Sequence, residues 1–194
     1  MIHIYREEID GTWFAVAMEN KSVVATSFST NEEEVLLSLV KSLPRNMPFQ
    51  KEVKHTQLAA KLLKTLRDIF DGKNVSFTFR IVLDHLPNYT SSVLRCVSAV
   101  PIGYVTTYGA VAKVAGGGPR AVGQIMASNP VPLLIPCHRV VCADFSLGGY
   151  GKGEKMKLLF LQRENRGYVE TRGLDINGKV LQIFPIRFLK PFRG

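Results

Sequence analysis

A thiol, an imidazole and a guanidinium stand next to one another at Cys137, His138 and Arg139, directly after Pro136 and a run of apolar residues. The apolar run 131–135 predicts a buried strand that ends at Pro136, and a buried strand disfavours these three groups, because burying an unpaired charge or an unsatisfied polar group costs roughly several kcal/mol. A neighbouring imidazole or guanidinium favours the thiolate, which is the nucleophilic form of cysteine. The triplet therefore indicates a reactive thiol at Cys137. A buried free cysteine beside a solvated His-Arg pair is the alternative.

The sequence also offers a base for this thiol and a group to orient that base. Consecutive side chains point to opposite faces of a strand, so His138 is expected to reach Cys137 through a bridging water. The helix predicted after a glycine-rich loop has one face formed by Met156, Leu159, Phe160 and Arg163. Glu164 ends this helix beside that face. It is either a helix-end carboxylate in water or the group that orients His138 and raises its basicity.

Composition and charge limit which class of protein and which kind of partner are expected. The chain has 194 residues, 46% of them hydrophobic and 21% charged, which is typical of one globular domain or two small ones. Lysine and arginine number 25 against 16 acidic residues, so the formal net charge is +9. No acidic residue lies between Asp84 and Asp144. This balance favours a polyanion such as nucleic acid as the partner.

Neither a membrane segment nor a disulfide framework is predicted. No stretch approaches the ~18 consecutive apolar residues of a membrane span, and the first residues are charged where a signal peptide is apolar. We therefore expect a cytoplasmic protein, or a nuclear one if the source is eukaryotic. Cys96, Cys137 and Cys142 are odd in number and lack CxxC spacing, which predicts free thiols and no metal. Cys96 and Cys142 have apolar neighbours and are candidate core residues.

The first third of the chain predicts an α/β arrangement. Residues 12–18 and 22–27 are rich in β-branched and aromatic residues and flank a polar turn, which predicts a β-hairpin. Thr30 and Glu33 form a capping box before a helix that Pro44 closes.

A second helix and a strand follow before the chain changes character. Helical spacing of leucines predicts a helix over residues 56–70, and a strand is predicted over residues 76–83. The Pro and Asn of the segment 84–90 indicate a connection. We therefore predict one domain over residues 1–86 and another over residues 87–194.

The second half predicts a helix-turn-helix unit. After a helix over residues 91–100, two short helices are predicted, one over residues 108–115 capped by Thr107 and one over residues 119–128 opened by Pro119. Three glycines separate these two helices, which is the spacing of a helix-turn-helix whose second helix enters a groove of DNA. An ordinary helical hairpin is the alternative.

Side chains on these two helices suit contact with DNA. Lys113 and Arg120 supply positive charge where a phosphate backbone would lie. Ala121, Gly123 and Ala127 are small enough to permit close approach to a duplex.

Several of these features occur together in one known family. The strings NPVP at 129–132 and IPCHRV at 135–140, the loop GYGKG at 149–153 and the helix ending in Glu164 follow the helix-turn-helix in that order. Over residues 91–167 the chain resembles the O6-alkylguanine-DNA alkyltransferases, which repair DNA by direct reversal. The resemblance implies an α/β (α+β) fold. A small amino-terminal α/β domain of RNase H-like outline would support a mainly helical carboxy-terminal domain.

The resemblance also implies a role for each matching residue. Cys137 accepts the alkyl group, and His138 takes the thiol proton through water under the influence of Glu164. Tyr108 helps to rotate the target nucleotide and protonates the departing guanine, and Arg120 fills the gap left in the duplex. Further DNA contacts are expected from Thr107, Lys113 and Ala121, and hinge and pocket positions from Asn129, Pro132, Gly149, Tyr150 and Gly151.

The implied activity is a single-turnover transfer from O6-alkylguanine in double-stranded DNA by a monomer without a cofactor. Some members of the family hold zinc in the first domain, but this chain has no cysteine there, so no metal is predicted. Two alternatives stay open. One is a non-catalytic helix-turn-helix protein that binds DNA or senses lesions, and the other is a thiol hydrolase or redox sensor that uses Cys137.

The residues after Gly167 extend beyond the resemblance. Strand-like runs at residues 179–184 and 187–189 predict either a small strand pair or an extension that reaches DNA. In the second case the contacts would come from Arg187, Lys190 and Arg193.

Overall fold

A computed structural model describes residues 1–191, and it has the mixed α/β fold that the sequence predicts. Within this range the helices are Glu32–Lys41 (α1), Gln57–Phe70 (α2), Asn88–Ser98 (α3), Tyr108–Ala115 (α4), Pro119–Ala127 (α5) and Glu154–Glu164 (α6). The strands are Ile2–Ile9 (β1), Thr12–Glu19 (β2), Ser22–Ser29 (β3), Phe49–Lys51 (β4), Tyr104–Thr107 (β5), Val140–Val141 (β6), Arg172–Ile176 (β7) and Lys179–Pro185 (β8). They form two sheets, ordered β3-β2-β1-β4 and β6-β5-β8-β7. No helix in the described range is long and apolar enough to cross a membrane.

The chain divides into two compact units. The first unit comprises Met1–His85 together with Pro130–Leu134, and the second comprises Leu86–Asn129 and the chain from Ile135 onward. The first unit contains the sheet β3-β2-β1-β4 with α1 and α2, and the second contains α3 to α6 and the other sheet.

The predicted hairpin is confirmed as β2 and β3, which pair antiparallel across a turn with positive φ at Asn20 and Lys21. The strand β1 was missed. Its inner residues Ile2 and Ile4 are fully buried and pack in one cluster with Leu39 of α1. The exposed acidic end of β1 hides this alternation in the sequence.

The first two helices are confirmed, but the predicted cap of α1 is wrong by one residue. Asn31 and not Thr30 is the cap, because its side chain accepts a 3.0 Å hydrogen bond from the Glu34 amide. Thr56 caps α2 by accepting from the Ala59 amide at 3.1 Å.

The predicted strand over residues 76–83 is wrong. An isolated bridge joins Ile81 to Val23 of β3, and the rest of the segment has no regular structure. Within this segment the rings of Phe77 and Phe79 stack on each other, with their centroids 5.8 Å apart.

The run before Pro136 is buried as predicted, but it is a turn and not a strand. Leu133 has a φ of 73°, which is a left-handed conformation incompatible with a strand. Pro130 and Pro132 have no N–H for a strand ladder. Their carbonyl groups instead accept hydrogen bonds from the Thr26 amide at 2.9 Å and the Thr26 hydroxyl at 2.7 Å.

The three helices α3, α4 and α5 confirm the predicted elements of the helix-turn-helix region. In the segment beyond Gly167, the run 179–184 is confirmed as part of β8, which pairs with β7 and β5. The predicted strand at 187–189 is wrong, because the chain turns after Pro185 into a 3₁₀ turn, Ile186–Phe188. Arg193, predicted to reach DNA, lies outside the described residues.

Candidate active site

Cys137 begins a short 3₁₀ turn, Cys137–Arg139, that leads into β6. The residue is 4% exposed, and the side chains of Asn129 and Tyr150 hydrogen-bond to its sulfur. Burial raises the pKa of the Cys137 thiol, while Asn129, Lys157 and Tyr150 oppose this rise. The thiol therefore keeps its proton at neutral pH, so a base is required to make the nucleophile.

Behind the thiol lies a buried group of three charged or titratable side chains. Nε2 of His138 is 2.9 Å from Oε1 of Glu164, the last residue of α6. Arg139 donates to the same carboxylate from Nε and Nη2, each at 2.8 Å. Its Nη1 donates to the Val100 carbonyl at 2.5 Å, so Arg139 also joins this group to the end of α3.

The charges of this group follow from its burial and pairing. Burial raises the pKa of Glu164, but His138 and Arg139 outweigh that effect and lower the pKa to about 2. Burial lowers the pKa of His138 below 6.5 in spite of the neighbouring carboxylate. At neutral pH the pair is therefore an ionised glutamate and a neutral histidine.

This assignment fixes which nitrogen of His138 holds the proton. An ionised carboxylate only accepts hydrogen bonds, so Nε2 must donate to Glu164, and Nδ1 keeps its lone pair. That Nδ1 is buried and has no hydrogen-bond partner among residues 1–191. His138, the residue next to Cys137, thus has a buried basic Nδ1, and Glu164 holds its Nε2 in place.

Cys137 opens onto a cavity of about 590 Å³ within the second unit. Its walls come from the start of α4, from α5 and from the loop before α6. The lining residues are Tyr108, Pro119, Arg120, Gly123, Met126, Ala127, Cys137, Cys142, Gly148, Gly149, Tyr150 and Gly151. Cys142, a candidate core residue in the sequence, is instead half-buried on this wall, whereas Cys96 is buried as predicted.

Tyr108 and the glycine loop face each other across part of the cavity. The Tyr108 hydroxyl donates a long, 3.5 Å hydrogen bond to the Gly149 carbonyl. Burial, together with Cys142 and Cys137, raises the pKa of Tyr108 to about 12. Gly148 has a φ of 67°, and a Cβ there would lie 2.9 Å from the Cys142 sulfur and 3.3 Å from the Tyr108 ring. A side chain at residue 148 would therefore be strained and would press on both groups.

Lys157 is a functional candidate that the sequence analysis missed. Its side chain is fully buried, and Nζ donates to the Leu147 carbonyl at 2.6 Å and the Val140 carbonyl at 2.7 Å. It also lies 3.5 Å from the Tyr108 hydroxyl. Burial lowers the pKa of Lys157 to about 8, so the ammonium form dominates at neutral pH and favours the Cys137 thiolate.

The predicted buried face of α6 is accordingly wrong in part. The buried residues of this helix are Lys157, Phe160, Leu161 and Glu164, whereas Met156, Leu159 and Arg163 are partly exposed. Residues 157, 160, 161 and 164 follow helical spacing, so Glu164 and Lys157 share one face. This helical spacing can be read from the sequence, but a lysine at position 157 is ordinarily expected to be exposed to solvent.

The residues predicted to contact DNA lie in different settings. Arg120 on α5 and Lys113 on α4 are exposed, and Ala121 is half-buried. Thr107 is nearly buried, and its hydroxyl caps α4 by accepting from the Ala110 amide at 3.1 Å. Pro132 belongs to the first unit and does not line the cavity.

Asn129 occupies the position between α5 and the buried turn. Besides contacting the thiol, its Nδ2 donates to the Ile135 carbonyl at 2.9 Å. Gly149 and Gly151 line the cavity and are exposed. Within residues 1–191, no group of three or more His, Cys, Asp or Glu side chains is arranged to hold a metal ion.

Comparison with known proteins places this chain in a family. Residues 88–166 match the DNA-binding domain of 6-O-methylguanine DNA methyltransferase. A methylated-DNA–protein-cysteine methyltransferase of Methanothermobacter thermautotrophicus is 41% identical over 105 residues, which are 54% of this chain and 60% of that protein. The protein of the same name from Methanocaldococcus jannaschii is 39% identical over 121 residues, 62% of this chain and 71% of that protein. The chain belongs to the methylated-DNA–protein-cysteine methyltransferase family.

The fold also agrees with this methyltransferase family. The crystal structure of Mycobacterium tuberculosis O6-methylguanine methyltransferase superposes with a TM-score of 0.66 at 22% identity, over 88% of this chain and 97% of that one. The family match contains Tyr108, Cys137 and Glu164 and ends before the hairpin of β7 and β8. This chain aligns with less than two thirds of the M. thermautotrophicus methyltransferase.

Proposed function

We propose that this protein repairs DNA by direct reversal, taking the alkyl group from O6-alkylguanine in a duplex onto the sulfur of Cys137. The observation that carries the proposal is the buried set at the cavity. Cys137 opens onto the cavity, and the adjacent His138 has an unpartnered Nδ1 and an Nε2 held by Glu164. These three residues are a nucleophile, the base that activates it and the group that orients the base.

The reaction begins with removal of the thiol proton. Nδ1 of His138 accepts this proton through one water, and Glu164 stabilises the imidazolium that results. Lys157 lowers the free energy of the thiolate, because its ammonium group opposes the effect of burial on the Cys137 pKa.

Transfer then exchanges one bond for another. The thiolate attacks the alkyl carbon, the new bond is S–C, and the bond from that carbon to guanine O6 breaks. The departing guanine needs a proton to leave as a neutral base. Tyr108 can supply it, because a pKa of about 12 keeps its hydroxyl protonated at neutral pH. The Lys157 ammonium group, 3.5 Å from that hydroxyl, returns a proton to the tyrosine oxygen, so no phenolate is left behind.

The charge of the chain supports a DNA partner for the second unit. Residues 86–194 contain 14 Lys and Arg against 5 acidic residues, a net charge of +9, whereas residues 1–85 contain 11 of each sign. The whole formal charge of the chain is thus on the part that holds α4, α5 and the cavity. Such a surface binds DNA favourably, because its contact with the phosphates releases counterions from the DNA.

The target guanine must leave the base stack before the thiol can reach it. Extruding a nucleotide costs about a few kcal/mol, and less for a damaged and poorly paired base. Arg120 is exposed and lines the cavity, so it is suited to occupy the space that the extruded base leaves.

Replacement of Arg120 is expected to separate base extrusion from chemistry. Arg120→Ala should slow transfer from duplex DNA by about tenfold or more, with little effect on transfer from a single strand, where no stack must be opened. Lys113→Ala is the matched control on the other helix of the pair. It should weaken duplex affinity and reduce the salt slope by about 1 with an unchanged transfer rate at saturation. Equal slowing of Arg120→Ala on duplex and single strand would refute this role.

The transfer rate is also expected to resist mild acid. His138 must be neutral to act as the base, and burial lowers its pKa below 6.5. Single-turnover rates measured from about pH 8 down to about pH 5 should therefore fall to half their plateau only below pH 6.5. A rate that has already halved above pH 6.5 would exclude a buried neutral histidine as the base.

The product is a thioether, whose S–C bond is stable in water, so each molecule acts once. With O6-methylguanine duplex in fivefold excess, the protein should remove one lesion per chain in a burst and then stop. Continued removal beyond one equivalent would contradict the proposal and would favour a turnover enzyme.

The same proposal extends to the organisation of the chain. Residues 87–194 bind DNA and accept the alkyl group, while residues 1–86 support them. The protein acts as a monomer without a cofactor, in the cytoplasm or, in a eukaryotic source, in the nucleus.

A further inference from the structure

The residues after α6 complete the sheet that borders the site. We call residues 168–191 the tail. Its strand β8 pairs with β5, and the Thr106 hydroxyl adds a 2.8 Å hydrogen bond to the Gln182 carbonyl. On its other side β5 pairs with β6, which follows the Cys137 turn, and the end of β5 leads directly into Tyr108. The tail therefore lies against the strand that connects two parts of the site.

The end of the tail also contacts the site loop, which we define as residues 142–149. The Lys190 amide donates to the Phe145 carbonyl at 3.0 Å. The Phe145 ring packs edge-on against Phe184 and Phe188, at centroid distances of 5.0 and 5.7 Å. Phe145 has a φ of 63°, which is unfavourable for a bulky residue. The tail contacts thus stabilise a conformation that the loop alone disfavours.

The opposite end of the site loop forms a wall of the cavity. The Leu147 carbonyl accepts a 2.6 Å hydrogen bond from the buried lysine of α6. Gly148 lies against both Tyr108 and the Cys142 sulfur. The Cys142 amide donates to the Ser146 carbonyl at 3.0 Å, which joins the first residue of the loop to the residue after Phe145. A shift of Phe145, the loop residue that contacts the tail, therefore moves the cavity wall beside Tyr108.

We propose that the tail holds the site loop in its reactive position and that Phe188 is a positioning residue for alkyl transfer. This inference rests on the proposed function. Transfer needs the alkyl carbon, the sulfur and the proton donor in line, and displacement of about 1 Å can slow a reaction by about 100-fold. Residues of the tail touch none of the reacting atoms, so their effect passes through Phe145 and Gly148.

Besides the hydrogen bond from the Lys190 amide, two side-chain contacts with the tail hold the loop, and the aromatic contact is the stronger of the two. The ion pair between Lys190 Nζ and Asp144 is short, at 2.7 Å, but both side chains are more than half exposed. Exposed pairs of this kind contribute little to stability. Phe188 is 40% exposed, so its truncation removes the ring contact with Phe145 without opening a large cavity in the core.

The test compares Phe188→Ala with Val180→Ala in the full chain. Val180 is 55% exposed and lies on the same tail, but it packs over Gly173 and not over the site loop. Phe188→Ala should lower the single-turnover methyl-transfer rate by about tenfold, with the duplex Kd unchanged within a factor of two. Phe188→Tyr keeps the ring and should restore the rate. Hydrogen exchange should be faster at the Phe145 and Lys190 amides in Phe188→Ala alone.

The possible results distinguish failure of the positioning role of Phe188 from failure of the proposed alkyl-transfer function. A normal rate in Phe188→Ala, or equal slowing by Val180→Ala, would overturn the positioning role. Unchanged exchange at Phe145 would show that Phe188 does not hold the loop, which also overturns it. If the natural protein itself transfers no alkyl group, the proposed function fails, while faster exchange in Phe188→Ala would still establish that the tail holds the loop.

Discussion

Glu164→Gln is expected to lower the single-turnover rate of alkyl transfer at neutral pH by at least about 100-fold, because it disables His138 and a positioned general base usually contributes about that much. The glutamine amide keeps the size of the side chain but removes the charge that stabilises the His138 imidazolium. It also no longer requires Nε2 to carry the proton, so Nδ1 loses its fixed role as acceptor.

The same substitution is expected to reduce stability. It leaves the Arg139 guanidinium, which is 12% exposed in its side chain, without its charged partner. Removing one member of a buried pair costs about 3–5 kcal/mol. The thermal midpoint must therefore be measured with the rate, and the rate recorded well below the midpoint. Glu154→Gln in the exposed first turn of α6 is the control, and it should change neither quantity appreciably.

Acid unfolding provides a second readout for Glu164. Its pKa is lowered from 4.5 to about 2 in the folded protein. A carboxylate with a lowered pKa stabilises the fold above its ordinary pKa, and that stabilisation is lost as pH falls from about 4.5 toward about 2. Glu164→Gln should lack this part of the acid transition. A variant that keeps full activity and the natural acid transition would show that Glu164 neither orients His138 nor is ionised.

Lys157→Met is expected to be the next most damaging change, with alkyl transfer slowed by about 10- to 100-fold. Methionine fits the volume of the buried side chain but supplies no charge. The Val140 and Leu147 carbonyls lose their donor, and the Cys137 thiolate loses a cation that favours it. The thiol pKa should therefore rise further.

The pH dependence of thiol alkylation by iodoacetamide separates this electrostatic role from simple packing. In Lys157→Met the alkylation curve of Cys137 should move to higher pH, whereas loss of packing alone would change its amplitude and not its midpoint. Lys155→Met, at an exposed position of the same helix, is the matched control. An unshifted curve in Lys157→Met would mean that Lys157 acts only as a hydrogen-bond donor to the loop.

Local signals in the sequence were sufficient for most helices of this protein. Thr107 before residues 108–115 and Pro119 before residues 119–128 mark helix starts, because caps and first-turn prolines depend on neighbouring residues alone. The set of Cys137, His138 and Glu164 could also be predicted from the sequence, since each of these residue types has few structural roles in an apolar setting.

The failures that concern the site involve contacts between separate parts of the chain. The run 131–135 has the composition of a strand, but its prolines and the hydrogen bonds from Thr26 make it a buried turn. Lys157 suggested a solvated position because lysine is rarely buried, and only the carbonyls of Val140 and Leu147 make its burial favourable. The contact of the tail with Phe145 spans about forty residues and has no local signature.

Intact mass measurement after incubation with duplex DNA that carries O6-methylguanine tests the central claim most directly. The natural chain should gain the mass of one methyl group, located on Cys137 by peptide fragmentation, and the repaired strand should contain unmodified guanine. Cys137→Ala should bind the same duplex and gain nothing. An unchanged mass in the natural chain despite binding to the damaged duplex, or a methyl group on another residue, would contradict the assignment of Cys137 as the alkyl acceptor.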